Sequence, residues 1–154
     1  MDIQKASKTD LAAMTNLVSA VSEIDVLPLL TQQGQDEYKA RVLPDLATTL
    51  DEKRFIAIKA TSGSQLLGFA ALRDGNYLTH LFVSHASQGT GLGRQLLAVL
   101  LNSTDAKEIR LRSSINAVGF YQHHGFEATD EESAFNGIRF VPMSLVRNRP
   151  ITLP

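Results

Sequence analysis

The sequence predicts an α/β protein of the α+β type, with a mixed, mostly antiparallel sheet, one parallel strand pair and helices on both faces. Helical apolar spacing precedes residue 54, and short strand-like runs separated by turn residues fill residues 54–84. Helical and strand patterns alternate after residue 84. A strand that follows a crossover helix lies parallel to the strand before that helix, so this alternation predicts the parallel pair.

The first part of the chain is predicted to form a strand and two helices. Residues 1–6 read as a short strand, and Thr9 or Asp10 can cap the helix that follows. A loop comes next, and a second helical pattern begins at Asp36, where Pro44 must kink the helix or divide it in two. The apolar side chains at helical spacing in the first helix are Leu11, Met14, Leu17, Val18 and Val21.

Three strands are then predicted as an antiparallel meander. They are "RFIAIKA" (54–60), "QLLGFAALR" (65–73) and "NYLTHLFVS" (76–84), all rich in β-branched, aromatic or other apolar residues. The connecting sequences "TSGS" and "DGN" have the composition of tight turns.

Two more helices and two more strands complete the chain. A glycine-rich loop leads into a helix with a buried stripe of leucines at positions 92, 96, 97, 100 and 101. The next strand is "KEIRLRSS", and the short helix in "NAVGFYQHHGF" (116–126) can be capped by Ser113 or Ser114 and ended by Gly125. In the final segment, "AFNGIRFVPMSLV", Pro142 predicts an edge strand or a bulge.

Length and composition indicate one globular domain over residues 1–154, without repeats or linkers. The 15 basic and 16 acidic residues give a net charge of -1, which argues against nucleic acid or an anionic membrane as a partner. The absence of cysteine excludes disulfides, thiolate metal sites and a cysteine acyl-enzyme. There is no signal-peptide pattern and no apolar run near the roughly 20 residues of a membrane span, so a cytoplasmic protein is expected.

The stretch "GTGLG" places three glycines in five positions at the start of a helix. First-turn amides without helical partners and the helix dipole attract anions, and glycine lets an anion reach the backbone. A P-loop would continue with Lys and Ser or Thr, whereas Gly93 is followed by Arg94 and Gln95. The dinucleotide fingerprint also fails, because three meander strands precede the turn. The pattern alone therefore predicts either an anion site or a simple tight turn.

A second segment narrows this choice. Gln88-x-x-Gly91-x-Gly93, followed by "NAVGFYQHHGF", resembles the paired motifs of the GCN5-related N-acetyltransferase (GNAT) superfamily. The motifs cover residues 77–126, and the order of elements matches over nearly the whole chain. The resemblance implies a GNAT fold with a splayed parallel strand pair, acetyl-CoA as co-substrate without a metal, and acetyl transfer to an amine.

The resemblance also implies a coenzyme site. Backbone amides of residues 88–94 would hold the pyrophosphate, with added charge from Arg94, and the preceding strand end would line the pantetheine arm and polarise the thioester carbonyl. Asn116 would contact pantetheine, and Tyr121 would be the general acid at the sulfur. The implied residues are Leu81, Phe82, Val83, Gln88, Gly89, Thr90, Gly91, Leu92, Gly93, Arg94, Asn116 and Tyr121.

A candidate general base lies on the strand before the glycine turn. Many family members use a glutamate on the strand before the glycine turn, but this chain has no carboxylate between Asp74 and that turn. His80 takes a similar place and is predicted to share a strand face with Leu78 and Phe82. It is either a core histidine or the general base, acting directly or through a water.

Other polar groups give weaker indications. His85 is isolated, and the adjacent His123 and His124 point about 100 degrees apart on a helix, so no metal site is expected. The acidic run 130–132 reads as a solvated loop, although at the mouth of an acceptor site it would favour cationic amines. By the resemblance, residues 22–45 would form one wall of the acceptor pocket.

The predicted function is direct N-acetyl transfer in a ternary complex, since no cysteine can carry the acetyl group. The alternatives are a catalytically weak acyl-CoA sensor, which the missing glutamate would suit, and a structural protein without a cofactor. The sequence leaves open whether the acceptor is a small-molecule or a protein amine, and whether the chain is a monomer or a homodimer.

Overall fold

A mixed sheet with the strand order β1-β2-β3-β4-β5-β8-β6 forms the centre of the computed structural model, which describes residues 1–147. A further short strand, β7, pairs with β8. The predicted domain, 1–154, also includes residues 148–154, which lie outside the described residues. The strands are β1 (Asp2–Lys5), β2 (Phe55–Ser62), β3 (Gln65–Arg73), β4 (Tyr77–Val83), β5 (Glu108–Ser113), β6 (Glu127–Ala128), β7 (Ser133–Phe135) and β8 (Ile138–Val146). The helices are α1 (Leu11–Asp25), α2 (Gln32–Asp45), α3 (Leu92–Asn102) and α4 (Val118–His123).

The meander and the parallel pair are confirmed. β2, β3 and β4 pair antiparallel in sequence order, whereas β4 and β5 pair parallel through Tyr77 with Arg110 and Leu78 with Leu111. No pairing between β4 and β5 is present after Leu78 along the described strands, although β4 continues to Val83. The two strands therefore splay apart and leave a gap in the sheet.

Hydrophobic clusters fill both faces of the sheet. On one face, α1 packs against β2 and β3 through the predicted Met14, Leu17, Val18 and Val21, while Leu11 is partly buried. On the other face, Leu92, Leu96, Leu97 and Leu100 of α3 are buried, and Leu101 is partly buried. The cluster around α3 includes side chains from β3, β4, β5 and β8, so it joins the strands on both sides of the gap. Within residues 1–147, no helix is long and apolar enough to cross a membrane.

The starts of the first two helices differ from the prediction in detail. α1 follows Asp10 as predicted, but the Asp10 carboxylate accepts hydrogen bonds from the Ser7 amide and from Lys59 instead of capping α1. α2 begins at Gln32 and not at Asp36, and Thr31 Oγ1 accepts a hydrogen bond from the Gly34 amide. The prediction failed there because a polar segment containing glycine lacks helical periodicity.

Pro44 divides the second helical pattern, as predicted. The α-helix ends one residue after it, at Asp45, and the chain continues as a 3₁₀ helix over Leu46–Leu50.

The prediction that Pro142 makes the last strand an edge is wrong. β8 lies inside the sheet, with β5 on one side and the short strands β6 and β7 on the other. The Pro142 carbonyl accepts from the Thr129 amide on the β6 side, so the proline nitrogen faces that side too. There the outer strand is interrupted between Ala128 and Ser133, and no ladder bond to Pro142 is needed.

The predicted serine cap of the fourth helix is not present. Ser113 Oγ donates to the Ser114 carbonyl, and a 3₁₀ turn over Ile115–Ala117 leads into α4 without a side-chain cap. Gly125 ends the segment in the left-handed region with φ +93°, as predicted.

Candidate active site

β4 contains a bulge at the point where it separates from β5. Ala71 of β3 pairs with His80, but the next residue, Leu72, pairs with Leu78, so Thr79 is an extra residue in the ladder. The last parallel pair, Leu78 with Leu111, lies directly before the bulge. Bulge and splay therefore coincide in the middle of the sheet.

The bulge changes the direction of the side chains on β4. Leu78 belongs to the cluster around α3, whereas the His80 ring lies on the α1 face, with its centroid 5.9 Å from that of Phe69 and 6.3 Å from that of Phe82. The prediction that His80 shares a face with Leu78 is therefore wrong, and the one that it shares a face with Phe82 is right. An extra residue inverts the alternation of a strand.

His80 is buried but borders a cleft. Thr79 Oγ1 donates to the Ala71 carbonyl at 3.3 Å and lies 2.8 Å from His80 Nδ1. When the single hydroxyl proton of Thr79 is donated to Ala71, its oxygen accepts from a protonated Nδ1, and in that tautomer Nε2 carries the lone pair. Burial lowers the pKa of His80 to about 4, so the imidazole is neutral at pH 7.

The free edge of β4 presents backbone groups to the gap. The Ser84 amide donates to the Leu67 carbonyl on β3. Because backbone groups alternate in direction along a strand, the N–H and C=O groups of Phe82 also point toward β3. The amides of Leu81 and Val83 therefore face the other side, where β5 has diverged. The Val83 carbonyl indeed accepts from the Gln88 side chain on that side.

The glycine turn presents a set of unpartnered amides. Gly89 and Gly91 have φ +80° and +88°, which favours glycine, and Gly91 immediately precedes α3. The Gln88 amide bonds within the turn, and so does that of Thr90 at a longer distance, 3.4 Å. The amides without a partner among the described residues are those of Gly89, Gly91, Leu92, Gly93 and Arg94.

Space around the turn is open where an anion would lie. A Cβ on Gly89 would meet nothing within 4 Å, and one on Gly91 would meet only the Arg94 guanidinium at 3.6 Å. A Cβ on Gly93 would lie 3.3 Å from the Phe120 ring, so this glycine lets α3 and α4 pack closely. The exposed Arg94 adds positive charge at the same end.

Gln88 anchors the glycine turn to two distant elements. Its Nε2 donates to the Val83 carbonyl at 3.1 Å and to the Asp25 carboxylate at 3.1 Å. Asp25, at the end of α1, also lies 3.3 Å from His85 Nε2. Sequence reasoning missed Asp25, because nothing in the local pattern of α1 indicates a partner more than 60 residues away.

Tyr121 and Asn116 reach the same cleft from the segment after β5. The Tyr121 ring is buried, with its centroid 5.3 Å from that of Phe120 and 5.5 Å from that of Phe126. Burial raises the pKa of Tyr121, so its hydroxyl is a protonated donor at neutral pH.

A cleft of about 990 Å³ connects these parts. Two predicted residues do not line it: Leu92 is a core side chain, and the Thr90 hydroxyl donates back to the Ser87 carbonyl. The predicted residues that line it are His80, Leu81, Phe82, Val83, Gln88, Gly89, Gly91, Gly93, Arg94, Asn116 and Tyr121.

The far end of the cleft is enclosed by α2 and the β7–β8 hairpin. Tyr38, Val42 and Asp45 of α2 line it, within the predicted 22–45 segment, and the Tyr38 hydroxyl lies 2.6 Å from Ser22 Oγ on α1. The acidic run 130–132 does not line this cleft. Glu132 pairs instead with Arg139.

No group of three or more His, Asp or Glu residues among residues 1–147 could hold a metal ion. His123 and His124 lie close together, with ring centroids 5.2 Å apart. Partial burial lowers the pKa of His124, and the charges of His123 and Arg94 lower it further.

Comparison with known families and structures adds independent information. The sequence profile of the acetyltransferase (GNAT) domain family matches residues 26–147. No curated protein sequence shows significant similarity to the chain.

Several solved structures share the fold. A GCN5-related N-acetyltransferase from Rhodopseudomonas palustris has a TM-score of 0.77 at 19% identity, with 95% of each chain covered. The PaiA N-acetyltransferase from Thermoplasma acidophilum, in complex with coenzyme A, has a TM-score of 0.71 at 20% identity, covering 95% of this chain and 98% of that one. The ribosomal-protein-S18-alanine N-acetyltransferase from Escherichia coli has a TM-score of 0.65 at 18% identity, covering 99% of this chain and 98% of that one. At such identities the likeness concerns the fold.

Proposed function

Because the chain belongs to the GNAT acetyltransferase family and is an acetyl-CoA-dependent enzyme, we propose that it transfers the acetyl group directly to a primary amine while both substrates are bound. The observation that carries this proposal is the continuous cleft, which joins the glycine turn to an enclosed second pocket past His80. A single continuous cleft lets two substrates meet at the gap between β4 and β5. The absence of cysteine supports direct transfer over a cysteine acyl-enzyme.

The residues at the coenzyme end fit a diphosphate. Five adjacent or nearly adjacent amides are unpartnered, the space above Gly91 is open, and the α3 dipole and Arg94 add positive potential. The free edge of β4 can pair with the amide groups of a pantetheine arm as a further strand would. This is the fit expected for the coenzyme, with Gln88 acting through its side chain as an anchor of the turn.

The reacting groups then have assigned roles. The amine nitrogen attacks the thioester carbonyl carbon, a C–N bond forms, and the C–S bond breaks. The amide of Leu81 or Val83 stabilises the negative charge that develops on the carbonyl oxygen. Tyr121 donates its phenolic proton to the leaving sulfur, and His80 Nε2 accepts the amine proton directly or through a water.

The first test compares Gly91→Glu with Gly63→Glu. Both glycines have positive φ and open surroundings, but Gly63 lies in the β2–β3 turn, far along the chain from the proposed site. At Gly91 the glutamate carboxylate would occupy the proposed pyrophosphate site and repel the anion. The acetyl-CoA affinity measured by calorimetry should therefore fall at least about a hundredfold, while Gly63→Glu should retain it. Equal affinity in the two variants would contradict the placement of the pyrophosphate.

Initial rates distinguish the proposed mechanism from its alternatives. The initial rate is measured against one substrate at several fixed concentrations of the other. The double-reciprocal plots should give intersecting lines, because transfer occurs in a ternary complex. Parallel lines would indicate a covalent acetyl-enzyme. Saturable acetyl-CoA binding with no thiol release from any amine would favour a weakly catalytic acyl-CoA sensor.

A further inference from the structure

Two guanidinium groups in the part of the cleft beyond His80 form no ion pair with another described residue, although the charge of Arg73 acts on the neighbouring Asp74 carboxylate. Arg73 at the end of β3 and Arg112 on β5 both line this part of the cleft. Neither side chain forms an ion pair or a side-chain hydrogen bond with any residue in the 1–147 region. Each guanidinium carries five N–H donors, so this arginine pair has a large unmet hydrogen-bonding capacity.

The other two arginines at this end are already neutralised. Arg54 pairs with Asp74 at 3.0 Å, and Arg139 pairs with Glu132 at 2.9 Å. The lack of an ion pair therefore distinguishes Arg73 and Arg112 from Arg54 and Arg139.

Aromatic rings hold the arginine pair in place. The Arg73 guanidinium carbon lies 4.7 Å from the centroid of the Tyr77 ring, and that of Arg112 lies 4.6 Å from the centroid of the Phe140 ring. A guanidinium stacked on a ring keeps its N–H edge free in a fixed direction. This is the arrangement that binds a carboxylate through two parallel hydrogen bonds.

Arg73 lies at the opposite end of β4 from the glycine turn, and Arg112 lies beside the middle of β4. Tyr77, which pairs with Arg73, precedes Val83 by six residues, or roughly 20 Å of strand. Arg112 directly follows Leu111, the last residue of the parallel pair, so it lies level with the bulge next to His80. These arginines therefore face the acceptor and not the coenzyme phosphates.

The walls between the arginine pair and His80 combine apolar side chains with the polar Tyr38, Asp45 and Thr48. They belong to α2, β2 and the β7–β8 hairpin, and the apolar residues lining this part are Val42, Phe55, Phe135, Ile138 and Phe140. Asp130 and Glu131 border an adjacent cavity together with the arginine pair, but neither forms an ion pair with it. The pocket thus offers an apolar patch within a mixed lining, with the arginine pair at one end and the Asp45 carboxylate on α2.

We propose that the acceptor is a free amino acid with an apolar side chain, which binds with its carboxylate on Arg112 and Arg73 and its amine toward His80. This inference rests on the proposed transfer to an amine. A small acceptor suits the short separation along the sheet between Arg112 and His80.

The test compares amino acids with their amides. L-Phenylalanine and L-leucine should be acetylated with kcat/KM at least about tenfold higher than L-phenylalaninamide and L-leucinamide, because a charged hydrogen-bonded pair is lost in the amides. Rates are expressed per neutral amine, since the amine of an amide has the lower pKa. Thiol release from acetyl-CoA gives the rate.

Variants locate the carboxylate site. In Arg112→Gln the ratio of kcat/KM for the amino acid to that for its amide should fall to near one, and Arg112→Lys should restore it only in part. Arg110→Gln is the matched control, because Arg110 is on the same strand but does not line the main cleft. Its ratio should equal that of the unchanged protein, and all three variants should bind acetyl-CoA equally.

The outcomes separate this inference from the proposed function. Equal use of amino acids and amides, or use of polyamines or peptides in place of amino acids, overturns the inference while transfer to an amine stands. A preference for succinyl-CoA over acetyl-CoA that Arg112→Gln removes would place the carboxylate on the acyl donor and also overturn it. Acetyl-CoA binding without transfer to any amine overturns both.

Discussion

The His80 imidazole lies between Phe69 and Phe82, and its burial lowers its pKa to about 4 from 6.5. In the unfolded chain His80 takes up a proton near pH 6.5, whereas the folded protein resists protonation until about pH 4. Folding stability from this residue is therefore complete above pH 6.5 and is lost as the pH falls toward 4. The shift corresponds to about 3 kcal/mol.

Urea unfolding tests this expectation. Between pH 7 and pH 4, the unchanged protein should lose about 3 kcal/mol more stability than His80→Gln, which has no titrating group at that site. Asp10 affects both proteins alike: its burial opposes the shift, but hydrogen bonds from Lys59 and Ser7 lower its pKa, and this contribution cancels in the comparison. Equal losses in the two proteins would show that the imidazole is not desolvated.

At the same scale, the sequence located the glycine turn and Tyr121 but not the direction of His80. The alternation of Leu78, His80 and Phe82 is unbroken in the sequence, because a bulge adds a residue without changing the composition of a strand. The register is set by pairing with β3, which the sequence of β4 alone does not contain. Arg73 and Arg112 were missed for a similar reason, since each belongs to a different strand.

At the scale of elements, α2 and the β7–β8 hairpin meet through two glycines. An ideal Cβ on Gly34 would lie 2.1 Å from the Gly137 carbonyl oxygen, and Gly137 has φ +84°. This close backbone contact holds α2 against the hairpin at the far end of the cleft. It also explains a glycine in a helix, where it is otherwise unfavourable.

Gly34→Ala should therefore force α2 away from the hairpin. Overpacking of this kind destabilises by about 1–3 kcal/mol, and the wider pocket should raise KM for the acceptor while acetyl-CoA affinity is retained. Gly119→Ala is the control, because that helical glycine has nothing within 4 Å of its Cβ position, and it should be neutral or slightly stabilising. If both variants melt at the same temperature, the contact does not constrain α2.

Most element types followed from local patterns, because periodicity and turn residues decide them. The start of α2 did not, since the contact between Gly34 and Gly137 joins segments about 100 residues apart. The position of β8 inside the sheet also depended on a distant feature, the interruption of its outer neighbour opposite Pro142.

At the scale of the whole molecule, the sheet consists of two parts joined by little direct pairing. β1 to β4 form one part and β5 to β8 the other, and only two residue pairs connect β4 to β5 within the described chain. The cluster around α3 holds the two parts together on one face. The proposed coenzyme site lies in the gap between β4 and β5, beyond their last pair at Leu78.

A coenzyme bound in the gap should act as a bridging strand, and hydrogen exchange can detect it. Without acetyl-CoA, the amides of Leu81 and Val83 should exchange quickly because they face the open side of β4. With saturating acetyl-CoA both should become protected, whereas the Ser84 amide, bonded to the Leu67 carbonyl, should be protected in both states. At about 100 times the dissociation constant, the coenzyme should also stabilise the protein by about 2.7 kcal/mol. Thermal stabilisation without protection of Leu81 and Val83 would mean that the coenzyme binds elsewhere on the fold, and that the splay of β4 from β5 serves another purpose.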